Sequence, residues 1–129
     1  MSKKKILIVD DEPDVALTAK YTINLDEEFN VDVVNSGKEC IDFLEEKELP
    51  DLIILDIMMP EMNGWEVHKK LKENENWRDI PVIFLTARVD VTAENAGKFL
   101  ADDYIEKPYD PIYLKKRIKK ILDEYKPLM

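Results

Sequence analysis

Four apolar runs in this 129-residue chain each stop at residues able to do chemistry. Ile6-Leu7-Ile8-Val9 runs into Asp10-Asp11, and Leu52-Ile53-Ile54-Leu55 into Asp56. Val82-Ile83-Phe84-Leu85 runs into Thr86, and Tyr104-Ile105-Glu106 into Lys107-Pro108. Two carboxylates about 4 Å apart repel by roughly 4 kcal/mol at an effective dielectric of about 20. Gathering Asp10, Asp11 and Asp56 at neutral pH therefore requires a cation or a shared proton. Carboxylate and water ligands without histidine suit a hard divalent ion, and Mg²⁺ is the usual one. Lys107 adds a fixed cation and Thr86 a donor to an anionic oxygen, so the cluster suits a phosphoryl group carrying about two negative charges. A carboxylate beside such a metal can attack phosphorus and form an acyl phosphate. In-line phosphoryl transfer needs mostly positioning and charge neutralisation, and an ionised carboxylate needs no general base. In this reading Asp10 and Asp11 hold the metal, Thr86 and Lys107 hold the equatorial oxygens, and Asp56 is the nucleophile.

The segments that carry these residues must bring them to one place. An apolar run of about four residues bounded by polar or turn signals reads as a strand buried on both faces of a parallel sheet. Ligand sites in such sheets lie at the carboxyl ends of the strands. Val31-Asp32-Val33-Val34 is a further short strand, and Tyr104-Ile105 centres the last one. Pro13 behind two acids opens a first helix bearing Val15, Ala16, Ala19 and Ile23. Ser36 with Glu39 is a capping-box signature for a second helix, with Cys40, Ile41 and Leu44 inward. Met58 to Gly64 reads as a loop, and Trp65 to about Asn74 as a third helix with Val67, His68 and Leu71 inward. A weak fourth helix is expected over Val91 to Leu100, because Asn95 and Gly97 are poor helix formers. Pro111 opens the last helix, whose inner stripe is Leu114, Ile118, Ile121, Leu122 and Tyr125. Five strand-then-helix units make a doubly wound α/β domain with a five-stranded parallel sheet and five helices.

Composition narrows the function classes. The length fits one domain, and a hydrophobic content of 45% supports a core. A net charge of −9 argues against nucleic acid as a direct partner, because phosphate contacts need a basic face. Lys115-Lys116-Arg117 with Lys119-Lys120 is a local exception on the last helix, read as a solvated face that can also dock an acidic partner. One cysteine, Cys40, excludes an internal disulfide and a multi-cysteine metal site, and its position reads as packing. His68 reads as a helix residue rather than a ligand, since no second histidine exists. Trp65 and Trp77 flank the third helix and are expected to pack against it or cap it. No run approaches the roughly 20 apolar residues of a membrane span, so a cytoplasmic protein is the expectation.

The chain resembles the two-component response regulator receiver domains, the CheY-like family. The matching segments are Val9-Asp10-Asp11-Glu12-Pro13, Leu55-Asp56-Ile57-Met58-Met59-Pro60 with Met62-Asn63-Gly64, Leu85-Thr86-Ala87, and Asp102-Asp103-Tyr104-Ile105-Glu106-Lys107-Pro108. Each is weak alone; all four in order, each closing a strand, are specific. The resemblance implies a flavodoxin-like strand order of 2-1-3-4-5 and a receiver domain over residues 4–125, with 126–129 a short tail. It implies a phosphorylation-activated switch that takes its phosphoryl group from a sensor histidine kinase or phosphotransfer protein onto Asp56. Asp11, Asp56 and the Met58 backbone carbonyl would bind Mg²⁺ directly, and Asp10 through water. Thr86 and Lys107 would read the phosphoryl group, Tyr104 would turn inward as Thr86 moves, and Lys107-Pro108 would be cis. The fourth helix, fifth strand and last helix would form the output surface toward a downstream protein, with the molecule a monomer or a phosphorylation-dependent dimer. Catalysis would be limited to self-phosphorylation and slow autodephosphorylation.

Two departures fall in and after the weak helix. Leu100-Ala101 stands where the family often has Gly-Ala, and the stretch from Thr86 to Lys107 is about one residue short. Met58 and Arg88, two residues beyond Asp56 and Thr86, sit where the family tunes phosphoryl lifetime. A rival reading is a magnesium-dependent phosphatase of the haloacid dehalogenase type. That chemistry wants a second Asp two residues past the nucleophile, where this chain has Met58. A nucleotide switch lacks its glycine-rich phosphate loop.

Overall fold

The computed structural model describes residues 3–25, 27–86 and 103–124. Five strands alternate with helices: β1 (Lys4–Val9), α1 (Pro13–Ile23), β2 (Phe29–Val34), α2 (Gly37–Glu46), β3 (Leu52–Asp56), α3 (Gly64–Lys72), β4 (Val82–Thr86), β5 (Asp103–Glu106) and α4 (Pro111–Glu124). All neighbouring strands are parallel, in the order β2-β1-β3-β4-β5. The expected architecture and strand order are those observed. The expected helix over Val91 to Leu100, the 126–129 tail and Tyr125 lie outside the described residues.

Side chains alternate across the sheet, so each buried strand feeds two cores. Ile6, Ile8, Leu52, Ile54, Ile83, Leu85 and Ile105 pack with Ala16, Ala19 and Ile23 of α1 and Leu114, Ile118 and Ile121 of α4. Leu7, Val9, Ile53, Leu55, Val82 and Phe84 pack on the other face with Cys40 and Leu44 of α2 and Val67 and Leu71 of α3. Burial on both faces is why β3 and β4 are apolar up to their last residues, Asp56 and Thr86. The edge strand β2 instead alternates: Phe29 and Val31 are buried, while Asn30 and Asp32 are exposed. It starts two residues earlier than expected, because Lys4 and Lys5 of β1 pair with Phe29 and Asn30.

Helix ends follow local chemistry. Ser36 caps α2 by accepting from the Glu39 N–H at 3.0 Å. The returning Glu39 carboxylate reaches the N–H of Asn35 at 3.3 Å, one residue before the cap. A complete capping box stands at α3, where Asn63 and Glu66 exchange bonds of 3.0 and 3.2 Å. The helix therefore starts at Gly64 rather than Trp65. It ends at Lys72, since the Asn74 side chain accepts from the Asn76 N–H at 2.8 Å and turns the chain. Cys40 is fully buried and burial pushes its thiol up to about 12, which fits packing and no thiolate chemistry.

Candidate functional site

Strand register assembles the site. Val9 pairs with Leu55, Asp56 with Leu85, and Thr86 with Glu106. Asp10, Asp56, Thr86 and Lys107 are therefore delivered to neighbouring positions at one carboxyl edge. Side-chain alternation divides them further: Asp10, Asp56 and Lys107 share the parity of the residues facing α1 and α4, whereas Thr86 and Tyr104 share that of Phe84.

The first group is an acidic cluster around one ammonium. Lys107 Nζ donates to Asp56 Oδ2 at 2.9 Å, Glu12 Oε1 at 3.0 Å and Asp10 Oδ1 at 3.1 Å. Its three protons thus meet three carboxylates. Asp10 and Asp56 are buried, Asp11 is half-buried and Glu12 is exposed. One carboxylate oxygen from each of these four acids lies within 4.8 Å of the others. Four ionised carboxylates against one ammonium leave three negative charges uncompensated. Burial is the largest influence on Asp56 and raises its carboxyl; the Lys107 hydrogen bond and charge oppose this, and Asp10 and Asp11 add to it. The net result is a carboxyl pushed up to about 7. For Lys107 burial favours the neutral amine, but Asp56, Glu12 and Asp10 outweigh it and the ammonium is held above its ordinary value.

These donors fit a hard cation. All are oxygens, as Mg²⁺ or Ca²⁺ requires. Asp10 Oδ2 is enclosed and accepts no hydrogen bond among the described residues, although Lys107 Nζ lies 3.1 Å away. Asp56 Oδ1 takes a bond from the Met58 N–H at 3.1 Å, and each oxygen of this carboxylate keeps a lone pair open. Met58 itself is 68% exposed at the lip of the site. In the sequence Glu12 stands out only as part of the Val9–Pro13 motif; nothing in an Asp-Asp-Glu run distinguishes a lysine partner from an acid at a helix start.

The second group is aromatic. Phe84 is fully buried and meets Trp65 at 4.6 Å, His68 at 5.2 Å and Tyr104 at 5.5 Å between ring centroids. His68 is accordingly buried, on the inward side of the third helix where the sequence places it, and Trp65 and Trp77 both pack. The Tyr104 ring points inward: its hydroxyl is buried, and burial pushes it up to about 12. Thr86 is buried at the end of β4. The Lys107-Pro108 bond is cis, as the resemblance implies. On the basic face of α4, Arg117 and Lys119 pair with Asp103 and Glu28.

The model of the response regulator receiver domain matches residues 6–119. The chain belongs to that family. Its receiver domain is 36% identical over 124 residues to the phosphate regulon transcriptional regulatory protein PhoB of Rhizobium meliloti, covering 95% of this chain and 54% of that one. It is 34% identical to the response regulator Rre1 of a Synechocystis strain, covering 91% and 51%. Among solved structures, the signal receiver domain of a histidine kinase from Syntrophus aciditrophicus superposes with a TM-score of 0.84 at 35% identity, over 98% of this chain and 95% of that one. The receiver domain spans about half the length of the curated relatives it matches. Those relatives are named as regulators, and a receiver domain serves two-component signalling. No helix among the described residues is long and apolar enough to cross a membrane.

Proposed function

We propose that this receiver domain accepts a phosphoryl group on Asp56, from a phosphohistidine of a sensor kinase or phosphotransfer protein. The observation that carries this reading is the buried Asp56 carboxylate held at 2.9 Å by Lys107 beside three further acids. An Asp56 oxygen forms the new P–O bond, the donor's P–N bond breaks, and imidazole departs with its electron pair. Lys107 and the Thr86 hydroxyl hold the transferred oxygens, and Asp11, Asp56 and the Met58 backbone carbonyl, with Asp10 assisting through water, would hold Mg²⁺. When bound, Mg²⁺ supplies the positive charge that neutralises the phosphoryl oxygens. A groove of about 610 Å³ lined by Val15, Thr18, Pro108 and Tyr109 opens beside Lys107 and gives a donor access.

Phosphorylation then draws Thr86 toward the phosphoryl group and fixes Tyr104 inward against Phe84. The fifth strand and last helix, with the segment before them, are thereby altered toward a downstream protein. The proposed setting is cytoplasmic, with a monomer or a phosphorylation-dependent dimer, and DNA contact left to other parts of a longer regulator where one exists. Incubation with Mg²⁺ and acetyl phosphate tests the core of this. One acid-stable, base-labile phosphoryl group per chain is expected; sustained turnover of phosphomonoesters would instead favour the phosphatase reading.

Two solution properties follow from the charge imbalance. Mg²⁺ is expected to raise Tm by several degrees. Asp11→Asn is expected to raise Tm in EDTA, by roughly 1 kcal/mol of relieved repulsion, and to lose most of the Mg²⁺ response. Scanning calorimetry with and without the ion checks both. The pH dependence has a definite sign. In the metal-free protein the Asp56 carboxyl sits above its unfolded value of about 3.9. Between there and about 7 the folded chain holds more protons than the unfolded one, so this group's stabilisation is lost as pH rises through that window. The Tm difference between wild type and Asp56→Asn in EDTA should therefore widen from pH 5 to pH 8, with wild type the less stable; a constant difference would refute it.

A further inference from the structure

We infer that Asn35 is a positioning residue for the metal site, an inference that rests on the Mg²⁺ reading above. Asn35 lies at the end of β2, on a different loop from any expected ligand. Its side-chain amide donates from Nδ2 to the backbone carbonyl of Asp10 at 2.9 Å. Only the NH₂ end can face a carbonyl oxygen, which fixes the amide's orientation. The Asp10 N–H is held in turn by the Val34 carbonyl at 3.1 Å, so the peptide planes on both sides of Asp10 are pinned to β2. The next peptide is held as well, because the Glu12 N–H donates to Asp10 Oδ1 at 3.0 Å.

Asp11 is therefore suspended between two fixed peptide planes, one of them fixed by Asn35. Its carboxylate is the half-buried member of the cluster, and its own backbone is not part of the sheet ladder. The same turn braces the opposite side of the site. A Cβ on Gly37 would lie 2.9 Å from the Met62 carbonyl oxygen, so the start of α2 sits directly against the loop that follows Asp56. Asn35 and Gly37 thus reach the two loops that carry the metal oxygens, Asn35 by its hydrogen bond to the first and Gly37 by contact with the second, while the Ser36 side chain turns to Glu39 and meets neither. Without its donor, the Asp10–Asp11 peptide can rotate and Asp11 loses its set distance from Asp56.

Mg²⁺ demands short, near-octahedral coordination, whereas Ca²⁺ tolerates variable oxygen distances. A loosened loop should therefore cost Mg²⁺ more than Ca²⁺. Calorimetric titration of the full chain with each ion reads this directly. Asn35→Ala is expected to weaken Mg²⁺ binding roughly five- to tenfold, in line with residues that orient ligands from behind. Ca²⁺ binding should change by less than about twofold, so the Mg²⁺ preference falls. Ser36→Ala removes the neighbouring cap of α2 without touching Asp10; it should lower Tm and leave both affinities and their ratio unchanged. An Asn35→Ala protein with wild-type Mg²⁺ affinity, or a Ser36→Ala protein with the same loss of preference, overturns the inference alone. A wild-type chain that takes up neither ion overturns the metal reading as well.

Discussion

Asp56→Asn is expected to reduce phosphoryl incorporation from one group per chain to none, with acetyl phosphate or a phosphorylated kinase as donor. The substitution keeps the shape of the side chain. It removes the charge that attacks phosphorus, and an amide cannot form the mixed anhydride that a carboxylate forms. Lys107 keeps Asp10 and Glu12 as acceptors at 3.1 and 3.0 Å, so the ammonium is not abandoned and the fold should persist. The protein should in fact be more stable than wild type in EDTA at pH 8. Burial opposes ionisation of Asp56, and the neutral amide escapes that cost. The two effects separate a chemical role from a structural one: a structural residue would lose activity and stability together. Mass spectrometry of the acid-quenched protein, alongside thermal melts, measures both. Retained incorporation in Asp56→Asn would move the acceptor to another residue and remove the basis for the roles given to Thr86 and Lys107.

The reason Asp56 could be chosen from sequence lies in where it stands. β3 and β4 are buried on both faces, so their boundaries are marked by abrupt polarity, and the residue at each boundary is at the carboxyl edge by construction. Asp10 follows the same logic at the end of β1, whereas Lys107 follows the half-buried edge strand β5 and is marked by its place before Pro108. Glu12 has no such mark, because its partner is 95 residues away and an exposed acid beside Pro13 already has a sufficient explanation as a helix start. Asn35 is hidden for the same reason: its bond to Asp10 crosses between strands paired only in the folded state. Asn63 illustrates competition between two local signals. Asn-Gly reads as a turn, yet Glu66 three residues on makes Asn63 a helix cap, and the complete capping box prevails. Asn30 interrupts the apolar run, so the sequence alone starts edge strand β2 at Val31 rather than Phe29. Its alternation with Phe29 and Val31 is instead what a strand with one open edge and one strongly buried face displays. Close approaches between backbones leave the least trace in sequence, since any glycine in a loop satisfies them equally well.

Gly64 is the case with the largest consequence for stability. The loop after Asp56 folds back so far that the Gly64 N–H donates to the Ile57 carbonyl at 2.9 Å. A Cβ at Gly64 would stand 2.4 Å from the Asp56 carbonyl oxygen and 2.7 Å from the Ile57 Cα. Both obstacles are backbone, and Asp56 pairs with Leu85 of β4 while the Ile57 N–H donates to the Leu85 carbonyl, so neither can step aside as a side chain would. Gly64→Ala should therefore cost about 3 kcal/mol or more, the upper range for overpacking. That is a large share of the 5–15 kcal/mol that holds a domain of this size together. Relief requires the first turn of α3 to move outward, which pulls Trp65 from Phe84 and disturbs the capping box of Asn63 and Glu66. The same movement shifts Met58 and its N–H bond to Asp56 Oδ1, so any folded fraction should also bind Mg²⁺ more weakly. Urea denaturation followed by tryptophan fluorescence reads the first effect, and ion titration of the folded fraction the second. Full stability with unchanged Mg²⁺ affinity would mean that the loop is not pressed against Asp56 in solution. The site geometry would then have to be built from some other constraint.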